Sequence, residues 1–489
     1  MNTDILSTLI SIPPAIYWTF ALAILLVIVD ALTKKESKAQ MIVAFVGLCF
    51  IIAQSICSLY SLNAINEVYF ECVFAGKMLN FDGISSCFNI LFCLAGLLTI
   101  AVSKDYLSKV YENCKEHYSL LIFAIFGMMC IAHSNNLIVL FLGIETMSIT
   151  FYAMTGFLRK RESSVEGALK YFLLGAFASG FLLYGMAMIY GATGSMYYDI
   201  INSSIVAQEL TPLYFKLGIG LLLIGLLFKV AAFPFHQWAP DVYQSAGTTT
   251  AGFMSSAGKI AALSGFIGIF LLAIPEESLY TAEIKSIIAV VSALTMLVGN
   301  ITALKQTNVK RMLAYSSVGH AGYMLMGIVS NSASGTSAVL YYSLAYILTQ
   351  IGAFTIIAII ETKEETGLTL SEYAGLSKRY PLLSTTLAIF LFSLAGIPPF
   401  AGFFGKYYLF ISAINSGFTW LTIIAVITSI IACYFYLSVI VSMYFKETAE
   451  SSEQIALGSL KNIMLSKATI LVAAILVVVI SFIPFMDMM

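Results

Sequence analysis

The chain has 489 residues, of which 60% are hydrophobic and only 10% are charged. Because soluble domains carry about 25% charged residues, this composition excludes an ordinary water-soluble enzyme or binding module. The formal net charge of -1 says nothing about partners, and we expect no nucleic acid among them.

Apolar runs of about 20 residues recur along the whole chain, separated by short polar stretches, which is typical of transmembrane helices. Residues in these runs do not alternate between polar and apolar, as strands of a membrane barrel would. The first run, 13–31, lacks a positive N-terminal flank and a following cleavage site, so we interpret it as a helix rather than a signal peptide. In chain order the predicted helices are 13–32, 40–60, 83–103, 118–133, 136–157, 164–191, 213–240, 247–273, 283–304, 310–329, 334–360, 382–415, 418–445 and 468–487.

These fourteen helices predict an all-α polytopic membrane protein. The longest polar connections, 361–380 and 447–467, are too short for a soluble domain. We divide the chain into the first three helices, two five-helix repeats, and a cytoplasmic connection with the final helix. Their bounds are 1–117, 118–273, 283–445 and 446–489.

Lys and Arg are distributed unevenly between the connections, and positive residues favour the cytoplasmic side of a membrane. Connections after odd-numbered predicted helices hold eighteen Lys and Arg, whereas those after even-numbered helices hold only Lys77, Lys216 and Lys285. The bias predicts that both chain ends face away from the cytoplasm.

The cysteines and histidines give no sign of a redox or metal centre. Eight cysteines form no CxxC or other metal-binding spacing, and most lie in apolar segments, where we expect them to be small core fillers. The four histidines, at 117, 133, 236 and 320, form no convincing haem pair. We therefore expect this chain to bind no cofactor and no metal.

Of the 25 Lys and Arg, the connections account for all but four, which are Lys170, Lys229, Lys259 and Lys406, and among the acids Glu145 lies deep within its predicted helix. A charge at the centre of a membrane helix costs about 2.5 to 3.5 kcal/mol on insertion scales. Such residues therefore form ion pairs, face water or have a function. Buried ion pairs that fix helix packing are the alternative to a function. Lys170 lies near a helix end, where its amine could extend to the interface. Lys229 and Lys259 lie near the middle, which favours a functional site.

Two of the predicted helices contain proline within an apolar run. Pro234 lies in GLLFKVAAFPFHQW (225–238), and Pro398 and Pro399 lie in FLFSLAGIPPFAGFFGKYYLF (390–410). Proline removes a backbone hydrogen bond, so the seventh and twelfth helices should break inside the membrane. Because these helices are five apart and each carries a lysine, the pattern predicts that helices 4–8 and 9–13 form two inverted repeats.

The charged residues suit proton transfer. Burial disfavours the charged form of a lysine and a nearby carboxylate favours it, so a change in their separation makes the lysine hold or release a proton. We predict that Glu145 and Lys229 form such a pair, with Lys259 as the next station and Lys406 the last. His236 and His320 are relay candidates, although each could equally be a hydrogen-bonded packing histidine.

Four sequence runs together resemble the antiporter-like membrane subunits of respiratory complex I, the NADH-quinone oxidoreductase, and among them subunit N. The runs are LKYFLLGAFASGFLLYGMAMIYGATGS, FKVAAFPFHQWAPDVYQ, KRMLAYSSVGHAGYMLMG and GIPPFAGFFGKYYLF, and the resemblance extends from about 80 to 445. It implies a fourteen-helix core with two inverted repeats and broken helices seven and twelve.

The resemblance also implies roles for individual residues. Glu145 is similar to the acid of the family's fifth helix, Lys229 to its partner on the seventh, Lys259 to the central lysine of the eighth and Lys406 to the terminal residue of the twelfth. Lys170, His236 and His320 match polar positions of a hydrated central axis. Thr146 departs from the leucine more usual after the acid, and leaves the acid in place. Subunit M carries a glutamate where Lys406 stands, and subunit L continues into a long lateral helix.

By this resemblance the chain moves protons while other subunits, carrying FMN, iron–sulfur clusters and the quinone site, transfer electrons. Protons would be taken up from the cytoplasm near Lys259 and released outside through the half that contains Lys406. The partners implied are subunit M, small membrane subunits, peripheral subunits and the lipid bilayer.

Two alternatives remain open. The D subunit of multisubunit sodium/proton antiporters shares the lysines and the helix count, and its transport activity would depend on sodium rather than on quinone. A non-transporting scaffold would keep the fold with inert charges, and neutralising Lys229 would leave its turnover intact.

Overall fold

The computed structural model describes residues 13–33, 38–65, 70–71, 78–110, 116–208, 210–275, 278–362, 366–447 and 463–483. Within these ranges nearly all regular structure is helical, and eleven helices are long and apolar enough to cross a membrane. The predicted all-α membrane fold is thus confirmed.

The helices of the first half are α1 (Pro14–Leu32), α2 (Lys38–Ile65), α3 (Gly83–Val110), α4 (Glu116–Ala132), α5 (Leu137–Thr155), α6 (Glu162–Thr193), α7 (Tyr198–Val206), α8 (Pro212–Val230), α9 (Trp238–Ser245), α10 (Thr248–Phe253) and α11 (Lys259–Gly268). Two-residue strands β1 (Phe70–Glu71) and β2 (Asn80–Phe81) pair antiparallel before α3. Those of the second half are α12 (Leu279–Ala303), α13 (Val309–Ser330), α14 (Ala333–Ile360), α15 (Leu376–Arg379), α16 (Pro381–Ala395), α17 (Ala401–Asn415), α18 (Thr419–Phe445) and α19 (Met464–Val479).

Every predicted membrane helix overlaps a helix of the structure. The three that fall short of the length and hydropathy of a full span are α4, α13 and the interrupted α16–α17 segment. Fourteen membrane spans and the two inverted repeats therefore stay predictions, as do the domain bounds drawn from them. The last residues of the final predicted helix, 484–487, lie outside the described residues.

Both predicted helix breaks are present. Helix α8 ends at Val230, the next residue, Ala231, has a left-handed backbone with φ 57°, and helix resumes only at Trp238. In the second half α16 ends at Ala395, Gly396 has φ 84°, and α17 begins at Ala401. Pro234, Pro398 and Pro399 lie inside these interruptions, where a missing N–H breaks no helical bond.

The helix after the first break is irregular in a way that the sequence did not indicate. A π-helical turn, Met254–Gly258, separates α10 from α11, and a second, Ile269–Ala273, follows α11. The first turn comes directly before Lys259, the first residue of α11. Single π-turns inside helices are frequent at functional sites, so this position is consistent with a functional role for Lys259.

The centre of the bundle is formed by α14 and by the continuous segment 248–273, both almost entirely buried within the chain. Outer helices such as α1, α2 and α6 expose much of their apolar surface, as expected for contact with lipid or partner subunits. Helix pairs cross closely at small residues: a Cβ on Gly299 of α12 would lie 2.5 Å from the backbone nitrogen of Gly319 of α13.

The cysteine expectation holds only in part, since Cys93 is buried whereas Cys49 and Cys57 face outward from α2. Cys72 and Cys114 lie outside the described residues, and so do the topogenic residues Lys34, Lys35, Lys77, Lys115, Lys363 and Lys461. The orientation of the termini thus remains a prediction.

Candidate functional site

Lys229 occupies the last turn of α8, directly before the break, with its side chain buried. Its Nζ donates to Ser148 Oγ of α5 at 2.9 Å and lies 3.5 Å from Ser179 Oγ of α6. Ser179 also donates to the carboxylate of Glu145, whose Oε1 lies 3.9 Å from the lysine Nζ. Since 3.9 Å is too long for a hydrogen bond, the predicted pair is bridged by serine and is electrostatic rather than directly bonded.

The backbone freed by the first break is satisfied by side chains of neighbouring elements. Trp238 Nε1 of α9 donates to the carbonyl of Phe228 at 3.0 Å, and the N–H of Phe233 donates to Thr295 Oγ1 of α12 at 2.9 Å. Because unsatisfied backbone groups are costly at membrane depth, these bonds allow the helix to end beside Lys229.

Lys259 is fully buried at the start of α11, directly after the π-turn. Its Nζ donates to both the carbonyl and the hydroxyl of Ser317 on α13, each at 2.8 Å, and lies 5.7 Å from the ring centroid of Tyr243. Among the described residues no carboxylate lies within 4.0 Å of this amine. A lysine held by neutral groups alone can lose its proton without leaving a buried acid unpaired.

His320 lies three residues beyond Ser317 on α13, and therefore on the same face of that helix. Its Nδ1 is 2.5 Å from the hydroxyl of Tyr342 and its Nε2 is 2.9 Å from that of Tyr436. The Tyr436 hydroxyl also forms a short hydrogen bond with Ser316. Both ring nitrogens thus meet groups that can donate or accept, which is the arrangement that a proton relay requires.

Lys406 lies in α17, just after the second break, and is buried. Its Nζ donates to the carbonyl of Ala395, the last residue of α16, at 3.0 Å and to Ser429 Oγ of α18 at 2.9 Å. The amine also lies 4.8 Å from the ring centroid of Tyr323. The end of a helix favours a positive charge, so the break itself creates this binding position for the lysine.

Helix α13 therefore joins the second and third lysines. Ser317, His320 and Tyr323 recur at three-residue spacing, so that Lys259 contacts the first and Lys406 the last. His320 is within electrostatic range of both lysines. No hydrogen bond among the described residues connects Lys229 directly to Lys259.

The two remaining relay candidates lie apart from this line. His236 is buried in the turn between α8 and α9, within electrostatic range of Lys259, and its Nδ1 has no hydrogen-bond partner among the described residues. Lys170 is half-exposed on α6, and its Nζ lies 2.7 Å from Glu166 and 3.8 Å from Asp241. The structure places Lys170 in a surface cleft, consistent with the weaker expectation attached to a lysine near a helix end.

Glu361 is a buried acid that was not predicted from the sequence as a site residue. It directly follows α14, on the predicted cytoplasmic side. Its Oε1 lies 3.0 Å from Arg161 Nη1, its Oε2 accepts from Thr248 Oγ1 at 2.5 Å, and its backbone carbonyl accepts from Lys109. Burial raises the pKa of the Glu361 carboxyl, but Lys310, Thr248 and Arg161 outweigh it and hold the pKa below its ordinary value. Its position directly after a long apolar helix was the available sequence signal.

Lys310 is one of the eighteen positive residues counted in the predicted cytoplasmic connections, where an exposed interfacial side chain is expected. It is buried, and its Nζ donates to the carbonyl of Ala246 at 2.6 Å. Its neighbour Arg311 is partly exposed and binds Asp241 and Gln244, each at 2.8 Å. Only the arginine behaves as a surface residue.

Residues 134–432, more than half of the chain, match the protein family described as "NADH:quinone oxidoreductase/Mrp antiporter, TM". The chain belongs to this family. Among its relatives is NADH-quinone oxidoreductase subunit N of Trichlorobacter lovleyi, which is 46% identical over 76% of this chain and 75% of the relative.

Two solved structures share the family fold over nearly the whole chain. A chain of respiratory complex I from Thermus thermophilus with bound aureothin superposes with a TM-score of 0.78 at 29% identity, covering 96% of this chain and 97% of the other. A chain of the Mrp complex from Dietzia sp. gives 0.82 at 20% identity, with coverage of 96% and 93%, and at that identity it supports the fold alone. The resemblance seen in the four sequence runs is confirmed.

Proposed function

We propose that this chain translocates protons as the subunit N-type membrane subunit of a respiratory NADH-quinone oxidoreductase. The observation that carries the proposal is the line of buried proton-handling groups from Lys259 through Ser317 and His320 to Lys406. Identity to relatives named subunit N favours the quinone-linked complex over a sodium/proton antiporter.

The Glu145–Lys229 pair is the element through which a neighbouring charge would act on this line. At 3.9 Å and an effective dielectric constant of about 20, the two charges attract by about 4 kcal/mol. Doubling the distance halves that value, so a displacement of about 4 Å changes the free energy of charged Lys229 by about 2 kcal/mol. Such a change alters the ratio of charged to neutral Lys229 about thirtyfold.

Proton uptake begins at Lys259, whose amine has only neutral partners and can therefore alternate between its two forms. The proton crosses from Lys259 to His320 by water or a side-chain movement, since no hydrogen bond among the described residues joins the two. One ring nitrogen of His320 accepts the proton while the other releases one to its tyrosine hydroxyl. Lys406 receives the charge at the second break and passes it to the outside. Water or a side-chain movement completes the step from His320 to Lys406, because both contact the ring of Tyr323 and no hydrogen bond among the described residues joins them.

The broken helices α8 and α17 are the candidate two-state elements. Lys229 lies in the last turn before the first break, and Lys406 donates across the second break to the carbonyl of Ala395, so a movement of the connecting residues changes the contacts of both lysines. Electron transfer through FMN and iron–sulfur clusters to quinone takes place in partner subunits. Subunit M and small membrane subunits lie beside this chain in a bacterial inner membrane, with both termini outside.

The proposal is tested by reconstituting the purified complex in proteoliposomes. We expect proton translocation that starts on addition of NADH and quinone, proceeds in sodium-free buffer and collapses with a protonophore. Translocation that needs sodium and ignores quinone would identify an antiporter instead. Quinone reduction without any proton movement would favour the alternative that this chain is a non-transporting scaffold.

A further inference from the structure

Tyr152 of α5 carries a hydroxyl that the proton path described above does not use. Its Oη is buried and has no hydrogen-bond partner among the described residues. Phenylalanine would fill the same place without an unsatisfied polar group, so the buried hydroxyl calls for an explanation. In a protein with two states, a group that is unpartnered in one state is free to bind in the other.

Tyr152 lies on the face of α5 that carries the ion pair. Glu145, Ser148 and Tyr152 follow one another at spacings of three and four residues, so they line one side of the helix. Ser148 accepts a hydrogen bond from Lys229, and Tyr152 is within electrostatic range of Glu145. Because side chains on a helix lean towards its N-terminus, the Tyr152 hydroxyl points back towards the carboxylate.

The facing helix leaves space for this hydroxyl. Tyr171, Gly175 and Ser179 recur every four residues on α6, and they meet the same face of α5. A Cβ on Gly175 would overlap the Tyr152 Oη, so a larger residue at this position would exclude the hydroxyl. Ser179, one turn further along, donates to the Glu145 carboxylate. The hydroxyl and the carboxylate therefore lie about one helical turn apart in the interface of α5 and α6.

The ring of Tyr152 is connected to the first helix break through aromatic contacts. It meets the ring of Tyr171 edge-on at a centroid distance of 4.7 Å, and Tyr171 stacks on Trp238 at 4.5 Å. Trp238 in turn stacks on Phe228, the chain neighbour of Lys229, and donates to its carbonyl. A movement at the break that displaces Lys229 is therefore transmitted to the ring that carries the hydroxyl.

We propose that Tyr152 is a positioning residue for Glu145: when Lys229 moves away at the break, the Tyr152 hydroxyl donates to the carboxylate in its place. Glu145 is then held by Ser179 and Tyr152, and it keeps its charge and orientation without the lysine. Since hydrogen bonds to a charged acceptor are strong, this change of donor lets Lys229 transfer its proton without leaving a buried acid unsatisfied. The inference rests on the proposed proton translocation and adds a further residue to its Glu145–Lys229 pair.

The change of donor is tested by amide hydrogen–deuterium exchange in the assembled complex, without any pumping measurement. Lys229→Met removes the lysine charge and so imitates the state in which Lys229 has moved away. We expect Tyr152→Phe to speed exchange of the α5 backbone amides about tenfold in the Lys229→Met background, and to leave it unchanged where Lys229 is present. The same effect in both backgrounds, or none in either, would overturn the inference, because a hydroxyl that serves only packing does not respond to Lys229.

Proton translocation gives the second test, in proteoliposomes driven by NADH and quinone. We expect Tyr152→Phe to slow translocation about tenfold in a complex that assembles normally, since a hydrogen bond to a charged group is lost. Tyr373→Phe is the matched control: it removes another buried and unpartnered tyrosine hydroxyl, which lies in the connection 361–380, and it should leave the rate unchanged. An unchanged rate in Tyr152→Phe would contradict the assignment. The expected pattern of amide exchange, found for a complex that translocates no protons even without substitution, would support the contact and refute the proposed function.

Discussion

The buried ion pair between Arg161 and Glu361 and the exposed pair between Lys216 and Glu283 have nearly the same length, 3.0 and 2.9 Å. They differ in burial, since the Glu361 side chain is 0% exposed and that of Glu283 is 55% exposed. Replacing Glu361 by Gln leaves Arg161, whose side chain is only 13% exposed, without its carboxylate, which costs about 3 to 5 kcal/mol. The same change at Glu283 loses a solvent-screened pair, worth about 0 to 1 kcal/mol.

The two free energies are measured by SDS-driven unfolding of the purified subunit in mixed micelles, followed by circular dichroism. We expect Glu361→Gln to be destabilised several-fold more than Glu283→Gln, and Arg161→Met to recover part of the loss when combined with Glu361→Gln. Equal destabilisation at both sites would show that burial of the Glu361 cluster does not control its energetics.

Three further predictions follow from the same contacts. Folding lowers the pKa of Glu361, so its carboxylate stabilises the fold fully above the unfolded pKa of about 4.3, and this stabilisation is lost as the pH falls through the folded pKa. The difference in free energy of unfolding between the unaltered chain and Glu361→Gln should therefore be constant from about pH 6 to 8 and shrink below about pH 4, as measured by acid unfolding. Lys406→Met removes a buried charge that has only neutral partners, so proton flux should fall at least about tenfold without loss of thermal stability, and an unchanged flux would contradict its role. In Gly402→Ala the new Cβ would clash with the Ser393 carbonyl oxygen, so the fold around the second break should be destabilised by about 1 to 3 kcal/mol. The loss should be visible as reduced assembly of the complex on a native gel. Gly191→Ala is the control, because its new Cβ meets open space and the complex should assemble normally.

The fold was predictable because its main determinants are local. Apolar run length specified the helices, and proline within such runs specified the two interruptions, since a missing N–H acts wherever the residue lies. The interruption at Pro234 nevertheless begins at Ala231, where the left-handed backbone precedes the proline. The π-turn at Met254–Gly258 carries no comparable local signature, because it contains no proline and lies in a continuous apolar run.

The charged residues of the site were predictable from the sequence, whereas their hydrogen-bond partners were not. Intramembrane position identified Lys229, Lys259 and Lys406, because an apolar surround makes a charge conspicuous in sequence. The serines and tyrosines that connect them are common residues in membrane helices, so Ser317 and Tyr436 could be recognised only once the helices were packed.

Glu361 was passed over for a different reason. It adjoins a polar connection, and its burial comes from Arg161 and Thr248, which lie 200 and 113 residues away in sequence. The expected role of Lys170 on the central axis stays a prediction, and its contacts place it in the cleft.

Lys229 carries charge within the proposed proton path, and the variants Lys229→Ala and Lys229→Arg, compared in membranes, test this role. Quinone-reductase turnover and proton pumping are measured together, with assembly of the complex checked on a native gel. We expect Lys229→Ala to abolish pumping and coupled turnover in an assembled complex. Arg should fail to restore them fully, because it keeps the charge but does not release a proton. Full turnover and pumping in an assembled Lys229→Ala complex would show that the lysine is structural and would contradict the proton path built on it.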